Sequence, residues 1–152
     1  MEEKPTNELN SILENTHPDQ LSSFLKDNSR YMADDKKGFY YYFKDVLYEK
    51  RIKLKDVYLY ADVSETYGSK IVTMEKHTKN RDLIIRLCLA GHFTWDETNR
   101  ALKLYGMTEL YAKDPRDACL IVAINHRKYD INEVNEMLIE QGMDILSKDE
   151  QK

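Results

Sequence analysis

Residues able to cap free backbone N–H groups recur along this chain, each just ahead of an apolar pattern of helical period. That recurrence leaves little room for any architecture but packed helices. The clearest case is TWDETNRALKLYG. Thr94 can accept from the amide of Glu97 while Glu97 reaches back to the amide of Thr94, and Trp95, Leu102 and Tyr105 supply a packing surface. Gly106 provides a left-handed stop. In DPRDACLIVAIN, Asp114 stands at the cap and Pro115 at the first helical position, where its missing N–H costs nothing. DINEVNEMLIEQG repeats the device with Asp130 and Glu133 and ends at Gly142. Upstream, Thr6 can open a short helix carrying Leu9, Ile12 and Leu13. Thr16, followed by Pro18 and Asp19, can open a second carrying Leu21, Phe24 and Leu25. Only three prolines and five glycines occur in 152 residues, so helices form easily and strand–turn–strand patterns lack their turn residues. The expected fold class is all-α.

The stretch FYYYFKDVLYEK places Phe39, Tyr42, Phe43, Val46 and Leu47 on one helical stripe, flanked by Tyr40, Tyr41 and Tyr48. Aromatic interleaving can stack nucleic-acid bases, but this spacing reads as a core helix. Ahead of it, DNSRYMADDKKG is a polar linker closed by Gly38. The sequence reads as free of internal repeats and of low-complexity tracts. The expected organisation is an N-terminal helical arm and linker over 1–38, a central domain over 39–106, a C-terminal helical extension packed on it over 107–146, and a frayed tail at 147–152.

Hydrophobic residues make up 41% of the chain and charged residues 33%, the ordinary balance of a soluble globular domain. No run approaches the roughly 18 apolar residues of a membrane span, and MEEKPTNELN has no signal-peptide pattern. Cys88 and Cys119 lie in apolar runs and read as small core residues, not as a disulfide framework or a zinc site. A reduced cytoplasmic protein with no membrane partner is expected. His17, His77, His92 and His126 are dispersed, and no Gly-rich phosphate loop, GxSxG or HExxH occurs. The chain therefore reads as no enzyme, with no metal and no cofactor. Arg81–Asp82 and Arg116–Asp117 read as helix-start charges or inter-helix pairs.

A net charge of −4 taken alone argues against a nucleic-acid binder. Its distribution points the other way, because Lys50 to Arg86 holds nine Lys/Arg against five Asp/Glu. A basic segment in an acidic chain is what a localised phosphate-binding face looks like. Within it, KLKDVYLYADVSETYGSKIVT reads as two short helices joined by a tight corner at Ala61–Ser64. Leu54, Val57 and Ala61 form the inner face of the first helix. Asp62 stands where the corner wants a positive φ, Val63 tucks inward, Ser64 can cap the second helix and Ile71 packs back. Ser64, Glu65, Thr66, Ser69, Lys70 and Thr73 are left facing outward, where they can approach phosphates or base edges. Tyr67 either packs beneath the helix or donates its hydroxyl to a phosphate. Lys53, Lys55, Lys76, Lys79 and Arg81 would supply counterion release. Asn80 can cap the next helix, whose N–H groups could add a phosphate contact.

The order of helix, corner, exposed helix and basic loop, followed by NRDLIIRLCLAGHFTWDETNRALKLYG, resembles a lambda-repressor-like helix-turn-helix regulator of the xenobiotic-response-element (XRE) type. The pieces ELYAKDPRDACLIVAI and INEVNEMLIEQG resemble a bacterial subgroup with a helical C-terminal extension. The resemblance covers about residues 39–146. It implies a five-helix helix-turn-helix core preceded by N-terminal helices and followed by a two-helix extension. It also implies sequence-specific binding of double-stranded DNA and pairing as a homodimer. The groove-reading residues it implies are Ser64, Glu65, Thr66, Ser69, Lys70 and Thr73; with Tyr67, Lys76, Lys79 and Arg81 from the reading of the residues above, they make up the expected nucleic-acid-binding set. Three positions depart from the family's pattern. Tyr58 stands where Ala is usual, Asp62 where Gly is preferred, and Gly68 where a buried aliphatic residue is expected. The outward face also lacks Arg, Asn and Gln, which make the commonest bidentate base contacts. These departures fit a second reading: a degenerate helix-turn-helix used as a protein-interaction module, its partner held by the C-terminal helices.

Overall fold

Helices account for all the regular structure of residues 37–148, the part of the chain that the computed structural model describes. They are α1 (Gly38–Lys50), α2 (Leu54–Ala61), α3 (Glu65–Val72), α4 (Arg81–Ala90), α5 (Trp95–Leu104), α6 (Pro115–Asn125) and α7 (Ile131–Glu140). The N-terminal helices expected from Thr6 and Thr16, and residues 149–152 of the expected frayed tail, lie outside the described residues. No helix among the described residues is long and apolar enough to cross a membrane. Gly38 is the first helical residue of α1 and does not close the linker ahead of it.

The caps read from the sequence are present. Ser64, Asn80, Thr94, Asp114 and Asp130 each accept from a backbone N–H in the first turn of the helix that follows. Thr94 and Glu97 form the reciprocal capping box. Each such cap contributes about 1 kcal/mol by satisfying donors that have no partner inside the helix.

α4 is the central rod. Leu83 to Ala90 are buried without a break, and the helix packs on α2, α5 and α7. α1 buries Phe39, Tyr42, Phe43, Val46 and Leu47, the stripe its spacing dictates, and packs on α5 and α3. Phe43 meets Phe93 at 4.9 Å, and Phe39 meets Tyr105 edge-on at 4.9 Å. Burying one such ring stabilises the fold by roughly 1.5–3 kcal/mol. Cys88 is buried in α4, whereas Cys119 on α6 is only half-buried.

The expectation that the chain holds no internal repeat is corrected by the hydrogen-bond pattern. α4, α5 and the segment after them form one unit; α6, α7 and the tail form the same unit again. His92 and Arg127 both take a left-handed conformation after the first helix. Phe93 then donates to the carbonyl of Cys88, and Lys128 to that of Ala123. After the second helix Gly106 and Gly142 are left-handed, and Met107 and Met143 donate back to Leu102 and Leu138. Asn99 Oδ1 accepts from the amide of Leu110, and Asn135 Oδ1 from that of Leu146. Arg81 donates to the carbonyls of Thr108 and Glu109, and Arg116 to those of Asp144 and Ile145.

The two units face each other and exchange partners. Arg81 binds Asp117 through two contacts of 2.9 Å, while Arg116 binds Asp82 at 2.8 and 2.9 Å. Asp117 Oδ2 also accepts the amide of Tyr111, and Asp82 Oδ2 that of Ser147. This is the exchange that an approximate twofold axis between the units produces. The Arg–Asp dipeptides are thus inter-helix pairs, joined crosswise.

Candidate nucleic-acid interface

The corner between α2 and α3 is built from local backbone chemistry. Asp62 adopts φ 58°, a left-handed conformation that Asp tolerates, and its amide bonds back to the last turn of α2. The amide of Val63 closes on the carbonyl of Tyr58, and Ser64 Oγ accepts the amide of Tyr67 at 3.1 Å. Val57, Tyr58 and Ala61 of α2 and Ile71 and Val72 of α3 are buried together. Leu54, expected on the same inner face, is only half-buried.

α3 packs chiefly on α1 and α2, while α6 and α7 pack on α5, on α4 and on each other. Its outer side is therefore left uncovered by the C-terminal helices. Ser64, Glu65, Thr66 and Lys70 are exposed, and Ser69 and Thr73 are half-buried, with Thr73 Oγ1 donating to the carbonyl of Ser69 at 2.7 Å. Tyr67 packs beneath the helix. Its hydroxyl is covered and meets no partner, and Lys76 Nζ lies 5.3 Å from its ring centre.

The basic loop after α3 is anchored at its middle. Thr78 is buried, its amide donates to Tyr105 Oη at 3.0 Å, and its hydroxyl accepts the amide of Asn80. His77 stacks on the ring of Tyr105 at 4.6 Å. That anchor holds the exposed Lys76 and Lys79 on the loop's outer side, with Glu75 exposed beside them.

Arg81 is placed differently from the other cations of the expected set. Its guanidinium is engaged by Asp117 and by the carbonyls of Thr108 and Glu109. Burial pushes the Asp117 carboxyl up, but the bonds from Arg81 and the Tyr111 amide, with the charges of Arg81 and Arg116, outweigh it. The net effect holds the carboxyl below its usual range.

One border of α3 was not part of the expected site. Lys37 Nζ donates to the carbonyl of Thr73 at 3.2 Å, so the start of α1 meets the end of α3. Burial pushes the Tyr58 phenol up to about 12, with further upward pushes from Glu65 and Tyr40, so Tyr40 of α1 and Glu65 of α3 both act on it. The tyrosines flanked by Lys37 and Lys44 in KGFYYYFK are the available signal, but their helical spacing reads as core.

Comparisons with protein-family models, with curated proteins and with solved structures returned no match for this chain.

Proposed function

We propose that the chain is a DNA-binding transcriptional regulator of the XRE type, with the helix from Ser64 to Thr73 entering the major groove of double-stranded DNA. The observation that carries this reading is a short polar helix, open on its outer side, following a left-handed corner and bordered by Lys70, Lys76 and Lys79. Small polar side chains there leave room for base edges, and the ammonium groups that border it supply the salt-dependent phosphate attraction. A helix-turn-helix module reads one half-site, so two copies would read a symmetric operator.

The test is selection of genomic fragments by the purified chain, followed by titration of the enriched duplex with the wild type and with Lys70→Ala. Tight binding that falls steeply with salt, and weakens in the variant, is the expected result. Enrichment of no fragment would remove this reading.

A second reading is favoured by a different surface. Leu59, Tyr60 and Ile145, all exposed, border a cleft of about 900 Å³ between α2 and the second repeat unit, with Arg86 among its lining residues. Apolar side chains gathered at one cleft suit a protein partner. In that case cross-links to the partner would fall around this cleft, overlapping residues 107–146, and Lys70→Ala would leave binding unchanged.

A further inference from the structure

The N-cap and first two turns of α1 bring two tyrosines and two lysines together. The Tyr40 and Tyr41 rings lie 5.6 Å apart. Lys44 Nζ stands 5.0 Å from the centre of Tyr40 and 5.7 Å from that of Tyr41, and Lys37 Nζ 5.7 Å from Tyr40. Among the described residues neither lysine forms an ion pair. Some cations elsewhere are tied to carboxylates, as Lys50 is to Glu97 and Lys148 to Asp62. An aromatic face attracts an ammonium group without supplying a counter-charge, so these lysines lose freedom of position without a carboxylate partner. The cluster reaches α3 directly, through the bond from Lys37 to the carbonyl of Thr73.

We propose that this end of α1 is a second phosphate-contact surface, on which Tyr40 and Tyr41 hold the ammonium groups of Lys37 and Lys44 against the backbone of the same duplex that α3 reads. The inference rests on the reading of α3 as a groove-entering helix. Its chemical content is additional: the partner is the sugar–phosphate strand flanking the groove, and the tyrosines are positioning residues. A lysine already oriented by a ring loses less side-chain entropy when a phosphate arrives. Contacts of this kind fix register and carry no sequence information.

The two roles separate in the salt dependence of binding. On the duplex enriched by selection, Lys44→Ala and Lys37→Ala should each lower the slope of log affinity against log salt by about 0.9, which is the release of one phosphate's counterions. They should weaken cognate and unrelated duplexes alike. Tyr41→Leu should weaken binding about two- to fivefold while leaving the slope as in the wild type, because charge is kept and only its placement is lost. Lys44→Arg, which keeps the cation and its ring contact, should stay close to the wild type in slope. Circular dichroism melting checks that each variant is folded, and Lys44→Gln replaces Lys44→Ala if the latter melts early. If Lys70→Ala weakens binding while the α1 variants match the wild type in affinity and slope, the surface on α1 is refuted and the reading of α3 stands. If the wild type binds no duplex, both fail together.

Discussion

Gly68 of α3 faces Tyr58 of α2 so closely that a Cβ at position 68 would stand 2.7 Å from Tyr58 Cδ1 and 3.0 Å from Cε1. Val63 Cγ2 would lie 3.1 Å away on another side. The two departures from the resembled pattern are therefore one packing solution. Bulk expected on the second helix is supplied from the first, and the Tyr58 ring, buried in the core, fills the space that an aliphatic residue at 68 would have taken.

Gly68→Ala is expected to destabilise the fold, against the ordinary rule for a helix interior. The gain in helix propensity is about 1 kcal/mol. Forcing a methyl group against a buried ring and Val63 costs about 1–3 kcal/mol. A net loss on the order of 1 kcal/mol should show as a lower urea midpoint at unchanged slope. Combining Gly68→Ala with Tyr58→Ala should lose less than the two changes added separately, because the clash then disappears. A higher midpoint for Gly68→Ala would mean that the ring moves aside freely.

What was legible in the sequence was local. A cap and the N–H it satisfies lie within three residues, so Ser64, Asn80, Thr94, Asp114 and Asp130 could be read directly. The same holds for the left-handed Asp62 and for the buried stripe of α1. The rest is non-local. Tyr58 and Gly68 each look like a defect until α2 and α3 are brought together. Arg81 reads from sequence both as a counterion-releasing cation and as half of a helix-start or inter-helix pair, because nothing near it in sequence singles out Asp117, which lies on a different helix. The repeat is faint in the sequence because the two units share few residues beyond framework positions, such as Asn99 with Asn135 and Gly106 with Gly142. The remaining core positions need only to be apolar. For the exposed face of α3 the sequence supplied the periodicity, and the structure added the cluster at the start of α1.

The crossed pairs predict that Arg81 acts on stability more than on DNA. Its side chain is about three-quarters covered, and that of its partner Asp117 nearly fully so. Charge-assisted hydrogen bonds of that kind contribute about 1.5–3 kcal/mol, so Arg81→Ala should lower stability by about 2 kcal/mol or more. Arg81→Lys should recover little, since an ammonium group cannot reproduce the planar fork that reaches one carboxylate and two carbonyls. A double-mutant cycle of Arg81 and Asp117 should give a coupling of about 1–3 kcal/mol. The salt slope of DNA binding should not change in Arg81→Ala, measured at a temperature where circular dichroism shows the variant folded. A slope lowered by about 0.9 would instead make Arg81 a phosphate contact.

Asp117 also sets a pH dependence. Its folded-state pKa lies below the ordinary value of 3.8, so its contribution to stability is fully present above that value. That contribution is lost as the pH falls through the lower, folded-state pKa. Many carboxylates titrate in the same range, so the useful quantity is a difference. The stability gap between the wild type and Asp117→Asn, measured by urea denaturation, should be constant from pH 7 to about 5 and should shrink below about pH 4. A gap that stays constant into strong acid would show that the ionised carboxylate is not what the pair needs.

Arg86 gives the most direct test of how the corner is tied to the rest of the molecule. It is buried in the middle of α4, where its Nε donates to the carbonyl of Ala61 and its Nη1 to that of Leu146, each at 2.9 Å. Ala61 is the last residue of α2, whose carbonyl has no partner within its own helix, and Leu146 lies in the tail of the second unit. One side chain thus joins the helix corner to the end of the chain's repeat. Arg86→Met keeps much of the apolar stem and removes the donors, leaving two acceptors short of a partner at a cost of about 1–3 kcal/mol each. A loss of about 2–4 kcal/mol is expected by urea denaturation. The specific consequence is local. Amide hydrogen exchange should quicken together around residues 62–64 and 146–148, beyond what the global loss explains, because both segments depend on the same guanidinium. Faster exchange at only one of the two would break the proposed tie. Unchanged stability would mean that water satisfies both carbonyls as well as the arginine does.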